Sequence, residues 1–159
     1  MSMCHMRMSS RRLEPRFRFM LLAMILVFAS AATQRVLASE PLLQSGKSWN
    51  GDAIAYPEGD PQVTAVILRI EDGEEPPFHC HPVPTMGYVL RGTLEVETRA
   101  GEKAVFREGD AVLELMRTVH RGRALQAPVE IIVFYAGARG LPTTVLPEQN
   151  LAAEHCDIP

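Results

Sequence analysis

Pro76-Pro77-Phe78-His79-Cys80-His81-Pro82-Val83-Pro84 is the stretch on which the reading of this chain turns. Each proline restricts itself and its predecessor away from helical dihedrals, so the segment between them is held extended. Side chains alternate along an extended chain. His79 and His81 therefore share one face, and Cys80 points to the other. Two imidazoles at that spacing hold a single ion between them, and their borderline-soft nitrogens suit zinc, copper, iron and nickel. His120 lies 39 residues after His81 and supplies a third nitrogen if the fold returns it alongside.

Outward from this stretch, short apolar runs alternate with turn signals. Strands are expected at 63–70, 87–90, 93–98, 103–107, 111–115, 119–123 and 129–135. Glu71-Asp72-Gly73, Ala100-Gly101-Glu102 and Glu108-Gly109-Asp110 punctuate them, and Arg91-Gly92 separates two of the runs. No later segment keeps a helical period beyond a turn or two. Frequent turns between short strands predict an all-β sandwich or barrel. Residues 39–62 read as an N-terminal arm, with Trp49 and Tyr56 packing on a barrel core at 63–135. Residues 136–159, with two Gly and three Pro, read as a tail that wraps the outside or lies loose.

The first 38 residues have a different composition. Arg7, Arg11, Arg12, Arg16 and Arg18 precede an apolar run at 19–32, with Val36-Leu37-Ala38 just beyond it. Basic residues, a short apolar stretch and small residues in that order are the plan of a secretory signal. The 14-residue run is shorter than the roughly 20 residues that cross a bilayer as a helix. Residues 1–38 are thus read as a signal peptide, and the expected location is periplasmic or secreted.

Cleavage there leaves 121 residues, enough for one domain with a real core. Ten of the 16 Lys and Arg and 18 of the 19 Asp and Glu follow residue 38, a net charge of −8. Nucleic acid and anionic membrane are therefore not expected partners. Cys80 and Cys156 remain in a compartment that permits disulfides. Cys80 is expected to be a plain thiol facing away from the histidines, with a bridge to Cys156 as the less favoured alternative.

The chain resembles the cupin superfamily of small double-stranded β-helix (jelly-roll) barrels. The family's first motif runs His-x-His, three or four residues, Glu, six residues, Gly; here His79, His81 and Gly92 match, and Thr85 stands where the glutamate would be. Its second motif runs Gly, five residues, Pro-x-Gly, two residues, His, three residues, Asn; Gly109 and His120 match, with Leu115, Arg117 and Ala124 at the other places. The chain is also similar to small secreted cupins with a His-Pro-Val-Pro run and a terminal Tyr-Ala-Gly, here 81–84 and 135–137.

The resemblance implies that His79, His81 and His120 converge on one divalent transition metal ion (Fe, Mn, Zn, Ni or Cu), and that the protein is a homodimer. Three neutral ligands leave the ion more positive than a set with a carboxylate, which favours an anionic substrate. Glu114 lies on the strand leading to His120. Facing inward it would ligate the ion, hold a ligand histidine or act as a general base; facing outward it would be solvated. Arg117 is a candidate clamp for a substrate carboxylate, and Tyr88 a candidate for the pocket mouth. No Gly-rich phosphate loop, Gly-x-Ser-x-Gly elbow or Cys-x-x-Cys pair is present. The expected function is an exported mononuclear metal-binding protein, a metal-dependent oxygenase or isomerase acting on a small organic anion. The alternative is a module that binds a small ligand or a metal without turnover.

Overall fold

The computed structural model describes residues 39–157. The signal-peptide reading of 1–38 lies outside the described residues. Five strands form one antiparallel sheet: β1 (Pro61–Ile70), β2 (Thr85–Thr98), β3 (Lys103–Arg107), β4 (Ala111–Leu113) and β5 (His120–Ala138), in the order β1-β5-β2-β3, with β4 also on β2. A one-turn helix, α1 (Ala152–His155), lies near the C-terminus. The all-β expectation holds.

The two longest strands give the fold its shape. β2 and β5 pair from Thr85 with Tyr135 through to Thr98 with His120, and the register shifts between Val89 and Leu94. Sequence reading expects a break at Arg91-Gly92; the structure has a bulge within one continuous strand. Gly92 adopts φ +83°, and a Cβ there would lie 2.5 Å from the Pro128 carbonyl oxygen. Glycine is the residue that permits both the dihedral and the approach. Bulges bend strands, and here the inner faces of both halves of the ribbon line one cavity: Leu94, Val96 and Gly122 from one half, Thr85, Ile131 and Val133 from the other.

Alternation fixes what faces inward. Thr85, Val89, Val129, Ile131, Val133 and Tyr135 are buried, and the core cluster adds Ile70, Leu94, Val96 and Val112. Trp49 packs against this cluster from the N-terminal segment. On the outer face, Val63 and Ile67 of β1 and Phe134 of β5 are exposed. On the outer face further along β2 and β5, ion pairs join Glu95 to Lys103 and Arg123, and Glu97 to Lys103 and Arg121.

The C-terminal segment does not lie loose. Cys80 exchanges backbone hydrogen bonds with Val145, at 2.9 and 3.0 Å. Cys156 forms a disulfide with Cys80 across 76 residues of sequence. This corrects the expectation of a plain thiol. Cys80 does point away from the histidine face, but that face meets the returning tail, where Val119, Val145, Ala152 and Cys156 form a second small core. Both sulfurs are buried within it.

Candidate metal centre

Three backbone segments bring the histidines together. His79 and His120 exchange backbone hydrogen bonds, each 2.8 Å, as an isolated antiparallel bridge. His81 is bridged to Met116, and its carbonyl accepts from Arg117 N at 2.7 Å. The three rings form a nearly equilateral triangle, with centroids 4.8, 4.9 and 5.1 Å apart. One nitrogen of each lies within 4.8 Å of the others.

Backbone carbonyls set the orientation of each ring. Nδ1 of His79 lies 2.9 Å from the Pro77 carbonyl, Nδ1 of His81 2.8 Å from that of Thr143, and Nδ1 of His120 2.7 Å from that of Thr118. A carbonyl only accepts, so each Nδ1 carries the proton and each Nε2 is left with a lone pair. Burial, reinforced by the neighbouring imidazoles, lowers the pKa of His79 and drives that of His81 well down; burial also lowers His120. Three neutral imidazoles with their tautomer fixed by a second hydrogen bond are the donor set that a divalent transition metal takes.

Glu114 faces inward. It follows β4 and continues the pairing with β2, donating its N–H to the Thr85 carbonyl at 2.9 Å, and its side chain lines the cavity. Its Oε2 lies 3.5 Å from His120 Nε2, and neither atom has a hydrogen-bond partner. Two buried acceptors that face each other need a cation or a proton between them. The residues present therefore fit a bound metal ion. Burial pushes the Glu114 carboxyl up to about 7, against a smaller opposing pull from His79 and a hydrogen bond from the Leu115 backbone.

The cavity measures about 360 Å³. Tyr135 stands at its wall with its ring 5.5 Å from that of His81, and burial raises its pKa, so the phenol stays protonated. The structure does not bring the other two sequence candidates to this cavity. Arg117 is turned to the tail, donating from Nε to Asp157 at 3.0 Å and from Nη1 to the Glu154 carbonyl at 3.1 Å. Tyr88 sits an odd number of residues from inward-facing Thr85 and pairs with Ile132 and Ala111, which puts it on the other face of the sheet. Neither residue lines the cavity. Sequence reasoning missed the tail: Thr143, Thr144 and Leu146 close one side of the site, and the Tyr-Ala-Gly signal that ends β5 gave no hint of where the chain goes next.

Residues 66–135 match the family model described as Cupin domain. That stretch is a cupin domain, which supports membership of the cupin superfamily. No curated protein matches it. Among solved structures it is similar to an uncharacterized conserved protein with a double-stranded β-helix domain from Klebsiella pneumoniae (19% identity, TM-score 0.46, covering 74% of this chain and 94% of that one). It is also similar to an RmlC-like cupin family protein from Methanocaldococcus jannaschii (15% identity, TM-score 0.42, 63% and 85%). A third is the DMSP lyase DddQ from Ruegeria pomeroyi (24% identity, TM-score 0.47, covering 55% of this chain). The chain spans 45% of that lyase's length.

Proposed function

We propose that this protein is an exported, mononuclear metal-dependent cupin enzyme, an oxygenase or isomerase acting on a small organic anion. The observation that carries the reading is the convergence of three neutral imidazoles, each locked by its own carbonyl so that Nε2 faces the cavity. His79, His81 and His120 would hold the ion, which supplies Lewis acidity and, if redox-active, one-electron chemistry. Glu114 is the group for proton transfer. Its carboxyl is buried within the same cavity, 3.5 Å from His120 Nε2, where a general acid or base would be needed. Export is supported by the composition of residues 1–38 and by the disulfide, which persists in an oxidising compartment. A homodimer is supported by the exposed apolar side chains Val63, Ile67 and Phe134 on the outer face.

The test is metal content by elemental analysis on untagged protein from its own export compartment, beside a His79→Ala/His120→Ala variant. About one ion per chain, lost in the variant, is expected. A redox-active ion then supports the oxygenase, and zinc leaves hydrolytic or isomerase chemistry and plain binding. Equal, trace metal in both proteins would sink the proposal. Glu114→Gln should keep its metal yet lose on the order of a hundredfold or more in turnover.

A further inference from the structure

The cavity is sharply divided in polarity, and that division constrains what enters it. His79, His81, His120, Glu114 and Thr85 gather at one place on its wall. Much of the remaining wall is hydrocarbon, contributed by Ile70, Leu94, Val96, Ile131 and Val133. Leu68, Pro77 and Thr144 also line the cavity but are exposed, and so mark its opening.

No cation of the described residues faces the interior. Arg69 is the one Lys or Arg on the lining, and its largely exposed guanidinium pairs with Glu130 at 3.3 Å across the neighbouring strand. Arg121 and Arg123 flank the lining residue Gly122, but alternation turns both outward, onto Glu97 and Glu95. Donors are equally scarce. The Thr85 hydroxyl donates to the Val83 carbonyl at 3.0 Å and the three Nδ1–H groups are held by carbonyls, which leaves the Tyr135 hydroxyl as the one side-chain donor on the lining without an acceptor among the described residues. A second anionic group or a row of hydroxyls would lose its water in this cavity and meet at most that one donor.

We infer that the ligand is a small monoanion with an apolar body, an aliphatic or aromatic carboxylate or the enolate of a comparable ketone. Dianions and polyhydroxylated acids are disfavoured. The inference rests on the metal-centre reading above, since the single anionic group is matched by the ion. At about 360 Å³ the cavity is near the small end of the range for small-molecule sites, roughly 300–1,000 Å³.

The test uses protein reconstituted with Co²⁺, its cobalt content measured independently. Hexanoate, benzoate, adipate and gluconate are titrated by calorimetry and by the visible cobalt spectrum. Hexanoate and benzoate should bind and shift the spectrum, each about tenfold or more tighter than adipate and gluconate. Leu68→Lys at the exposed opening supplies the missing cation. It should raise adipate affinity relative to that of hexanoate by about tenfold while leaving cobalt content unchanged. Gluconate or adipate binding as tightly as hexanoate would overturn the inference, and so would a Leu68→Lys protein blind to adipate. Loss of selectivity with full cobalt loading removes only the ligand class. No cobalt uptake together with no selectivity removes the metal reading as well.

Discussion

Glu95 and Glu114 are buried to nearly the same degree, 8% and 9% exposed, and they stand in opposite circumstances. Glu95 lies on the outer face. Burial pushes its carboxyl up, but hydrogen bonds from Arg123 at 2.7 Å and Lys103 at 3.1 Å outweigh that and hold it below the usual range. Glu114 lies on the inner face with no cationic side chain bonded to it, and burial carries it to about 7. The outer face completes its own charge pairing from within the chain. The inner face leaves a carboxylate oxygen and an imidazole nitrogen unpartnered, which marks the place where something from outside the chain is to be bound.

The largest expected effect separates the two regions by how they are held. The backbone behind the histidines is tied by a disulfide that closes a loop of 76 residues, whereas the ionic face has no covalent tie. A Cys80→Ala/Cys156→Ala variant should lose about 4 kcal/mol of stability by loop entropy, with metal affinity falling alongside. Urea denaturation and metal titration check both; unchanged metal affinity would mean that the bridge braces the tail and not the site.

Next in size is the pH dependence of the metal-free protein. The folded state binds the Glu114 proton more tightly than the unfolded chain does. Its stabilising effect is therefore complete below pH 4.5 and is lost as the pH rises through about 7, by about 3 kcal/mol. The histidines, lowered from 6.5, slope the other way: their contribution is lost as the pH falls from 6.5 through their folded-state values. His81 and His120 are common to wild type and Glu114→Gln, so the difference between the two proteins reports the carboxyl together with its coupling to His79. Parallel stability profiles from about pH 4 to 8 would show that Glu114 is paired after all, and the contrast with Glu95 would collapse.

The smallest effect is on the outer face. Glu95→Gln should cost less than about 1 kcal/mol and become smaller still in high salt, because its partners Lys103 and Arg123 are solvent-exposed and screened. A salt-independent loss of several kcal/mol would place Glu95 among the residues the core depends on.

How far the sequence reaches is explained by the range of the interactions involved. The inward pairing of His79 and His81 follows from local alternation and was legible. So was the place of His120 on a strand, although β2 and β5 each run on unbroken through what reads as a gap between two shorter strands. Glu114 was legible as a candidate, with its inward orientation only slightly favoured, because β4 is only three residues long and its register depends on β2. Tyr88 was misplaced although alternation from Thr85 would have turned it outward. Arg117, at φ +67°, is held by Asp157 and by the Glu154 carbonyl, and the disulfide joins Cys80 to Cys156. Both depend on where the last 20 or so residues return, and no local pattern specifies that return.

The carbonyl that orients His81 belongs to Thr143, 62 residues later in the chain, and the sulfur that pins Cys80 belongs to Cys156. During synthesis from the N-terminus, all three ligands are therefore made before Thr143 and Cys156, which orient His81 and pin Cys80. A nascent chain that has just added His120 owns every metal-binding nitrogen and no finished centre. The order of assembly runs from ligands to brace, and the site reaches its final form only when almost the whole of the described chain has been made.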